Sequence, residues 1–230
     1  MSGRGAGTPR SLVDEGLDVA VAVAASGAFA VLSILMHVHS TRSFDRRAWR
    51  MRWPGPRSRR PRRTVERISG ALSPLTFGFA GSVVALLLRA KRRREASDSV
   101  LASSALASLA DPALKASFRR RRPPEMWLSR SSDSSFPSGH SMSACAVPAI
   151  LSYVLARERL ISPAGAMALA TIPPLGVGIT RLYLHKHWAT DVLAGWAAGL
   201  AFAGGAAAWY ESRGGASERV RGRAADGIRS

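Results

Sequence analysis

The sequence predicts an all-α membrane protein, a bundle of about six transmembrane helices. Three observations carry that expectation. Apolar residues make up 47% of the 230-residue chain, yet its formal net charge is +18. The apolar residues are gathered into runs of about bilayer-spanning length, roughly 20 residues. The arginines are gathered between those runs, where anionic lipid headgroups rather than nucleic acid are the expected partner.

Residues 1–16 are Gly-rich and polar and are expected to form a disordered tail. Leu17 to Val38 carries no charge after Asp18 and reads as the first span. The next stretch, 39–68, is of different character. From His39 to Arg67 it holds eleven arginines, with Pro54, Pro56 and Pro61 and with Trp49 and Trp53 among the charges. It reads as a basic loop lying on an anionic membrane surface. Ser69 to Leu88 is the second span, stopped by Arg89 and the basic run Lys91 to Arg94. Ser97 to Phe118 is rich in Ala, Ser and Leu and contains Asp98 and Asp111. Small residues allow close helix packing in membranes, so this segment is expected to be a third helix shielded from lipid on at least one side. A polar loop follows over 119–135. The fourth span runs from Ser138 to Ala156, the fifth from Ser162 to Thr180 with Pro173 and Pro174 inside it, and the sixth from Trp188 to Tyr210. Helix-interior prolines are tolerated in membranes when neighbouring helices satisfy the freed backbone groups. Residues 17–210 are thus one membrane-embedded domain, and 211–230 form a basic tail. Cys145 is the single cysteine, so no intrachain disulfide forms.

Three polar clusters interrupt this apolar pattern. Lys115 and Arg122 are seven residues apart, nearly two helical turns, so a persisting helix puts both cations on one face. Pro137-Ser138-Gly139-His140 stands at the mouth of the fourth helix, where free backbone N–H groups make an anion cradle. Arg181 is followed by His187 and, one helical turn later, by Asp191, which can orient the imidazole. The third helix ends where the fourth begins, and the fourth and fifth cross out and back. All three clusters therefore meet at one membrane face.

These spacings resemble the three-part signature of the type 2 phosphatidic acid phosphatase superfamily, which shares its site with vanadium haloperoxidases. The matching residues are Lys115 with Arg122-Pro123, Pro137 to His140, and Arg181 with His187 and Asp191. Thr180 stands where the family usually has Ser, and His185 where relatives often have Gly. The resemblance implies that His187 attacks phosphorus, that Asp191 orients it and that His140 protonates the leaving oxygen. It implies that Lys115, Arg122 and Arg181 hold the phosphate, helped by Ser138 and Gly139. Three cations, two imidazoles and a carboxylate supply positioning and charge for phosphoryl transfer without a metal or other cofactor.

The expected substrate is a lipid phosphate or diphosphate: a polyprenyl diphosphate, which is favoured, phosphatidic acid or phosphatidylglycerophosphate. The same site also serves a phosphotransferase, and a basic lipid-binding scaffold without catalysis needs only the loops. A metal held by His185, His187 and Asp191 is the rival reading of the third cluster. The family arrangement puts the site on the non-cytoplasmic face of the plasma membrane, against the arginine count of the 39–67 loop.

Overall fold

The computed structural model describes residues 12–50, 59–124 and 134–214. Most of the two expected tails, and residues 125–133 of the polar loop, lie outside the described residues. Eight helices are formed among them: α1 (Leu12–His37), α2 (Arg42–Arg50), α3 (Arg59–Ala71), α4 (Pro74–Ala90), α5 (Arg94–Phe118), α6 (Gly139–Arg157), α7 (Pro163–Tyr183) and α8 (Ala189–Ser212).

The six long helices α1, α4, α5, α6, α7 and α8 match the six expected spans. Five stretches are long and apolar enough to cross a membrane: Asp18–His37, Arg62–Ala90, Gly139–Arg157, Pro163–Tyr183 and Ala189–Ser212. α5 has the length of a span, but its apolar content is diluted by serines. Ser97, Ser99, Ser103 and Ser104 are all buried. Their hydroxyls are absorbed locally, as in Ser104 Oγ to Val100 O at 2.8 Å, or across the bundle, as in Ser103 Oγ to Ala146 O at 3.4 Å. Ser97 Oγ is the exception, buried without a partner among the described residues; the bonded serines show how such a helix sits among apolar neighbours.

α6 is the central helix and packs against α4, α5, α7 and α8, while α1 lies along α8. Small residues set the spacing of α6 and α8. A Cβ at Gly195 or Gly199 would come within 2.6 Å of the carbonyl oxygens of Ser138 and Met142 respectively. The outer helices turn large apolar side chains outward, including Val23, Ile34, Leu75, Phe79, Leu109, Met167 and Ile172. An apolar belt of that kind suits hydrocarbon rather than water.

The basic stretch expected to be a loop contains α2 and α3. Arginine is a good helix former, and Pro61 falls in the first turn of α3, where proline is tolerated. Each helix is also tied to the bundle. Asp45 on α2 bonds Thr190 on α8, and Ser69 on α3 meets Thr180 on α7 at 3.1 Å. Both helices therefore lie against one end of the bundle, while residues 51–58, with Trp53, Pro54 and Pro56, lie outside the described residues.

Successive long helices alternate in direction. Tyr153 on α6 bonds both Asp18 near the start of α1 and Glu211 near the end of α8. The start of α1 and the end of α8 thus share one end of the bundle, and the three polar clusters occupy the other.

Candidate active site

The helix of Lys115 does not persist to Arg122. α5 stops at Phe118, and Arg119 turns left-handed with φ 46°. The chain then runs beside the segment before α6: Ser135 N donates to Arg120 O at 2.8 Å, and Arg120 N to Ser134 Oγ at 2.9 Å. Arg122 reaches the site from this irregular segment, and its Nη1 donates to Lys186 O at 2.9 Å. Lys115, still on the helix, pairs with Asp111 at 2.9 Å.

α6 opens at Gly139, with Ser138 as its cap. The Ser138 hydroxyl accepts from Ser141 N and Ser141 Oγ, at 3.4 and 3.0 Å, so it closes the helix start. Gly139 is needed for a close approach: a Cβ there would collide with the Asp111 carboxylate. His140 follows in the first turn and lies within electrostatic reach of Arg181, His187, Lys115 and Lys186. Arg181, at the end of α7, is 3% exposed. Its Nε is buried without a hydrogen-bond partner among the described residues. Arg122 lies within its electrostatic reach.

His187 is 6% exposed. Its Nδ1 lies 2.8 Å from the carbonyl oxygen of Ser135 and 3.6 Å from Asp191 Oδ2. A carbonyl oxygen only accepts, so Nδ1 carries the proton and Nε2 keeps its lone pair. Arg122 Nη1 stands 3.4 Å from Nε2. Burial pushes the His187 pKa below its ordinary 6.5; Arg122 pushes the same way, while Asp191 and Ser135 oppose it. The neutral ring is favoured because burial disfavours the charged form.

The Ser135 carbonyl is itself anchored. Phe136, fully buried, packs between Phe29 and Phe118, with ring centroids 6.2 and 4.8 Å away. Asp191, expected to orient His187, makes its direct bonds elsewhere. Its Oδ2 accepts from Trp188 N at 2.8 Å and its Oδ1 from Arg120 Nη1 at 2.5 Å. Arg120 also reaches Asp45 Oδ2 at 2.5 Å, and Asp45 accepts from Thr190 N at 3.0 Å. Asp45 and Asp191 are 2% and 0% exposed, so Arg120 bridges two buried carboxylates from α2 and α8.

The structure thus gathers Lys115, Arg122, His140, Arg181, His187 and Asp191 at one end of the bundle. The sequence reading missed Arg120, Asp45, Ser135, Thr190 and Asp111. A signal existed for one of them: Asp45 is one of only two acids among the eleven arginines of 39–67, and the other is Glu66. Of the rival metal ligands, His185 stacks edge-on with Trp49, and Asp191 is spent on Arg120 and the helix cap. Among the described residues no group of three or more His, Cys, Asp or Glu is placed to hold a metal ion.

The PAP2 superfamily model matches residues 96–214, more than half of the chain. The chain belongs to the PAP2 superfamily. The PAP2 match spans α5 to α8, the helices that carry the three clusters. Phosphatidylglycerophosphatase B of Bacillus subtilis strain 168, a relative, is 39% identical over 95 residues. The match covers 40% of this chain and 47% of that relative, so the chain spans about half of the relative's length. A solved structure has the same fold: a transmembrane PAP2-type phosphatidylglycerolphosphate phosphatase from Bacillus subtilis. It superposes with a TM-score of 0.64 at 24% identity, covering 79% of this chain and 91% of that one. With its apolar spans and this PAP2 fold, the chain is an integral membrane protein.

Proposed function

We propose that the protein is a lipid phosphatase that hydrolyses the terminal phosphate of a phosphate monoester or diphosphate headgroup through a phosphohistidine. The observation that carries this reading is the His187 tautomer. With Nδ1–H committed to Ser135 O at 2.8 Å, the basic Nε2 faces Arg122. Nε2 attacks phosphorus, the bond from phosphorus to the leaving oxygen breaks, and His140 delivers a proton to that oxygen. Water then attacks the phosphohistidine, the N–P bond breaks, and His140 recovers its proton as inorganic phosphate leaves. Lys115, Arg122, Arg181 and the backbone at Gly139 hold the equatorial oxygens, with Ser138 fixing the helix start they depend on. Asp191 acts on His187 electrostatically and through the cap of α8. The site's cations neutralise the charge that develops on phosphorus, so no metal ion is required.

The likeness to a phosphatidylglycerophosphatase favours phosphatidylglycerophosphate as the first lipid to test, ahead of the polyprenyl diphosphate that the sequence favours. Phosphate release from a micellar lipid panel in excess EDTA tests the reading. Wild type should release phosphate, and His187→Ala should lose about 10⁴-fold or more in kcat while still folding. EDTA-sensitive activity restored by a divalent ion, or an active His187→Ala enzyme, would overturn it.

The catalytic face is proposed to lie on the non-cytoplasmic side of the plasma membrane, with the anionic surface of that leaflet meeting α2 and α3. Ser40 is exposed at this end. A cysteine there, in a Cys145→Ser background, should be labelled by an impermeant thiol reagent in intact cells. Labelling only after lysis reverses the orientation.

A further inference from the structure

Lys186 precedes His187 in the tight turn between α7 and α8, where its N–H donates to Arg181 O at 3.0 Å. The side chain is half-buried and makes no hydrogen bond or ion pair among the described residues. Its electrostatic neighbours are Arg181, Arg122, Arg62 and Glu66. Glu66 is the one carboxylate in that set, and Arg62 already holds it at 3.2 Å. Lys186 also lies within reach of His140, so its ammonium shares the mouth of the catalytic site. Burial first, and then Arg181, pushes its pKa below the ordinary lysine value.

A half-buried ammonium among guanidinium groups is unfavourable without an anion to compensate it. One phosphate monoester is already served by Lys115, Arg122, Arg181 and the N-terminus of α6. Lys186 is surplus to that set. Its electrostatic neighbours Arg62 and Glu66 belong to α3, the helix that Ser69 pins to Thr180 at 3.1 Å.

We propose that Lys186 forms a second anion subsite beside the reacting phosphate, which takes the non-reacting phosphate of a headgroup that carries two. This rests on the lipid-phosphatase reading and narrows its substrate class. Diphosphates and phosphatidylglycerophosphate share that chemistry, a second negative phosphate on the leaving side of the phosphorus attacked, joined through one oxygen in the diphosphate and through a glycerol in phosphatidylglycerophosphate. Phosphatidic acid lacks it.

The test compares matched lipids with the purified full-length protein in one detergent. Polyprenyl diphosphate is set against polyprenyl monophosphate, and phosphatidylglycerophosphate against phosphatidic acid. Lys186→Met should lower kcat/KM by roughly 10- to 100-fold on the two-phosphate member of at least one pair, mostly through KM. On its single-phosphate partner the change should stay below about threefold, and Lys186→Arg should keep most of the wild-type preference. The pair that responds names the headgroup. Equal losses within both pairs, or no loss in either, overturn the subsite. Calorimetric binding of inorganic diphosphate and orthophosphate gives a readout free of catalysis. Wild type should bind the diphosphate about tenfold more tightly, and Lys186→Met should not. A preference that survives the substitution, or is absent from wild type, overturns the proposal. If that preference depends on Lys186 while no lipid is turned over, the subsite stands and the hydrolase reading falls.

Discussion

The two ends of the helix bundle both concentrate charge, and they treat it in opposite ways. At the end shared by the start of α1 and the end of α8, each partly buried cation meets a carboxylate. Arg157 bonds Glu211 at 2.8 and 3.2 Å, and Arg93 bonds Glu158 at 2.7 Å. Tyr210 completes Glu158 at 2.7 Å, and Tyr153 joins Glu211 to Asp18. At the catalytic end, Arg181 keeps a buried Nε without a partner and Lys186 has no direct counterion among the described residues. Charge that is neutralised inside the protein holds helices together. Charge left over is available to an anion from outside.

Arg120 belongs to the catalytic end yet is fully compensated, so it tests that division most severely. Arg120→Met should leave Asp45 and Asp191 buried without their shared cation, costing about 3–5 kcal/mol of stability. The loosened α8 turn should lower kcat roughly 10- to 100-fold with little change in KM, since Arg120 positions the turn rather than touching substrate. Thermal unfolding in detergent and steady-state kinetics check both. An unaltered kcat would remove Arg120 from the support of His187.

Arg157→Met breaks the matching contact at the other end. Its guanidinium side is partly exposed, so the loss should be about 1–2 kcal/mol of stability, with kcat/KM unchanged. A fall in kcat/KM beyond about threefold would mean that the two ends are coupled.

The smallest effect concerns pH. The folded pKa of His187 lies below 6.5, the ordinary value. The proposed nucleophile therefore stays neutral as pH falls from 8 to 6.5, and the acid limb of kcat/KM should have its midpoint below 6.5. Stability follows the same sign: the neutral buried ring favours the fold above pH 6.5. That contribution is lost as pH falls toward the depressed folded value. An acid limb centred above 6.5, after correction for substrate ionisation, would contradict the environment of His187.

The apolar runs and their stops were legible because hydrocarbon imposes a length, and every long helix falls within a few residues of its expected span. The helices of the basic stretch were not, because Asp45 and Ser69 hold them to partners more than a hundred residues away. The residues of the signature were legible from their spacing together with the family resemblance, although Arg122 arrives from an irregular segment and not from the helix of Lys115. The partner of His187 was not, since spacing pointed to Asp191 and the nearer acceptor is a backbone carbonyl, which no residue type announces. His185 shows the reverse case. The turn holds it at φ 53°, the left-handed region, where glycine carries no steric cost and a side chain does.

Because the six long helices alternate and the site lies wholly at one end, the reaction centre meets a single leaflet. A headgroup in the opposite leaflet is separated from it by about 30 Å of hydrocarbon. On the proposed lipid-phosphatase reading, lipid made on that side becomes a substrate only after something carries it across, so the supply of substrate is a question of flipping as much as of synthesis. In the proposed reaction the two products also part at once. Phosphate leaves into the water on the side of the site, while the dephosphorylated lipid stays in the leaflet that delivered it.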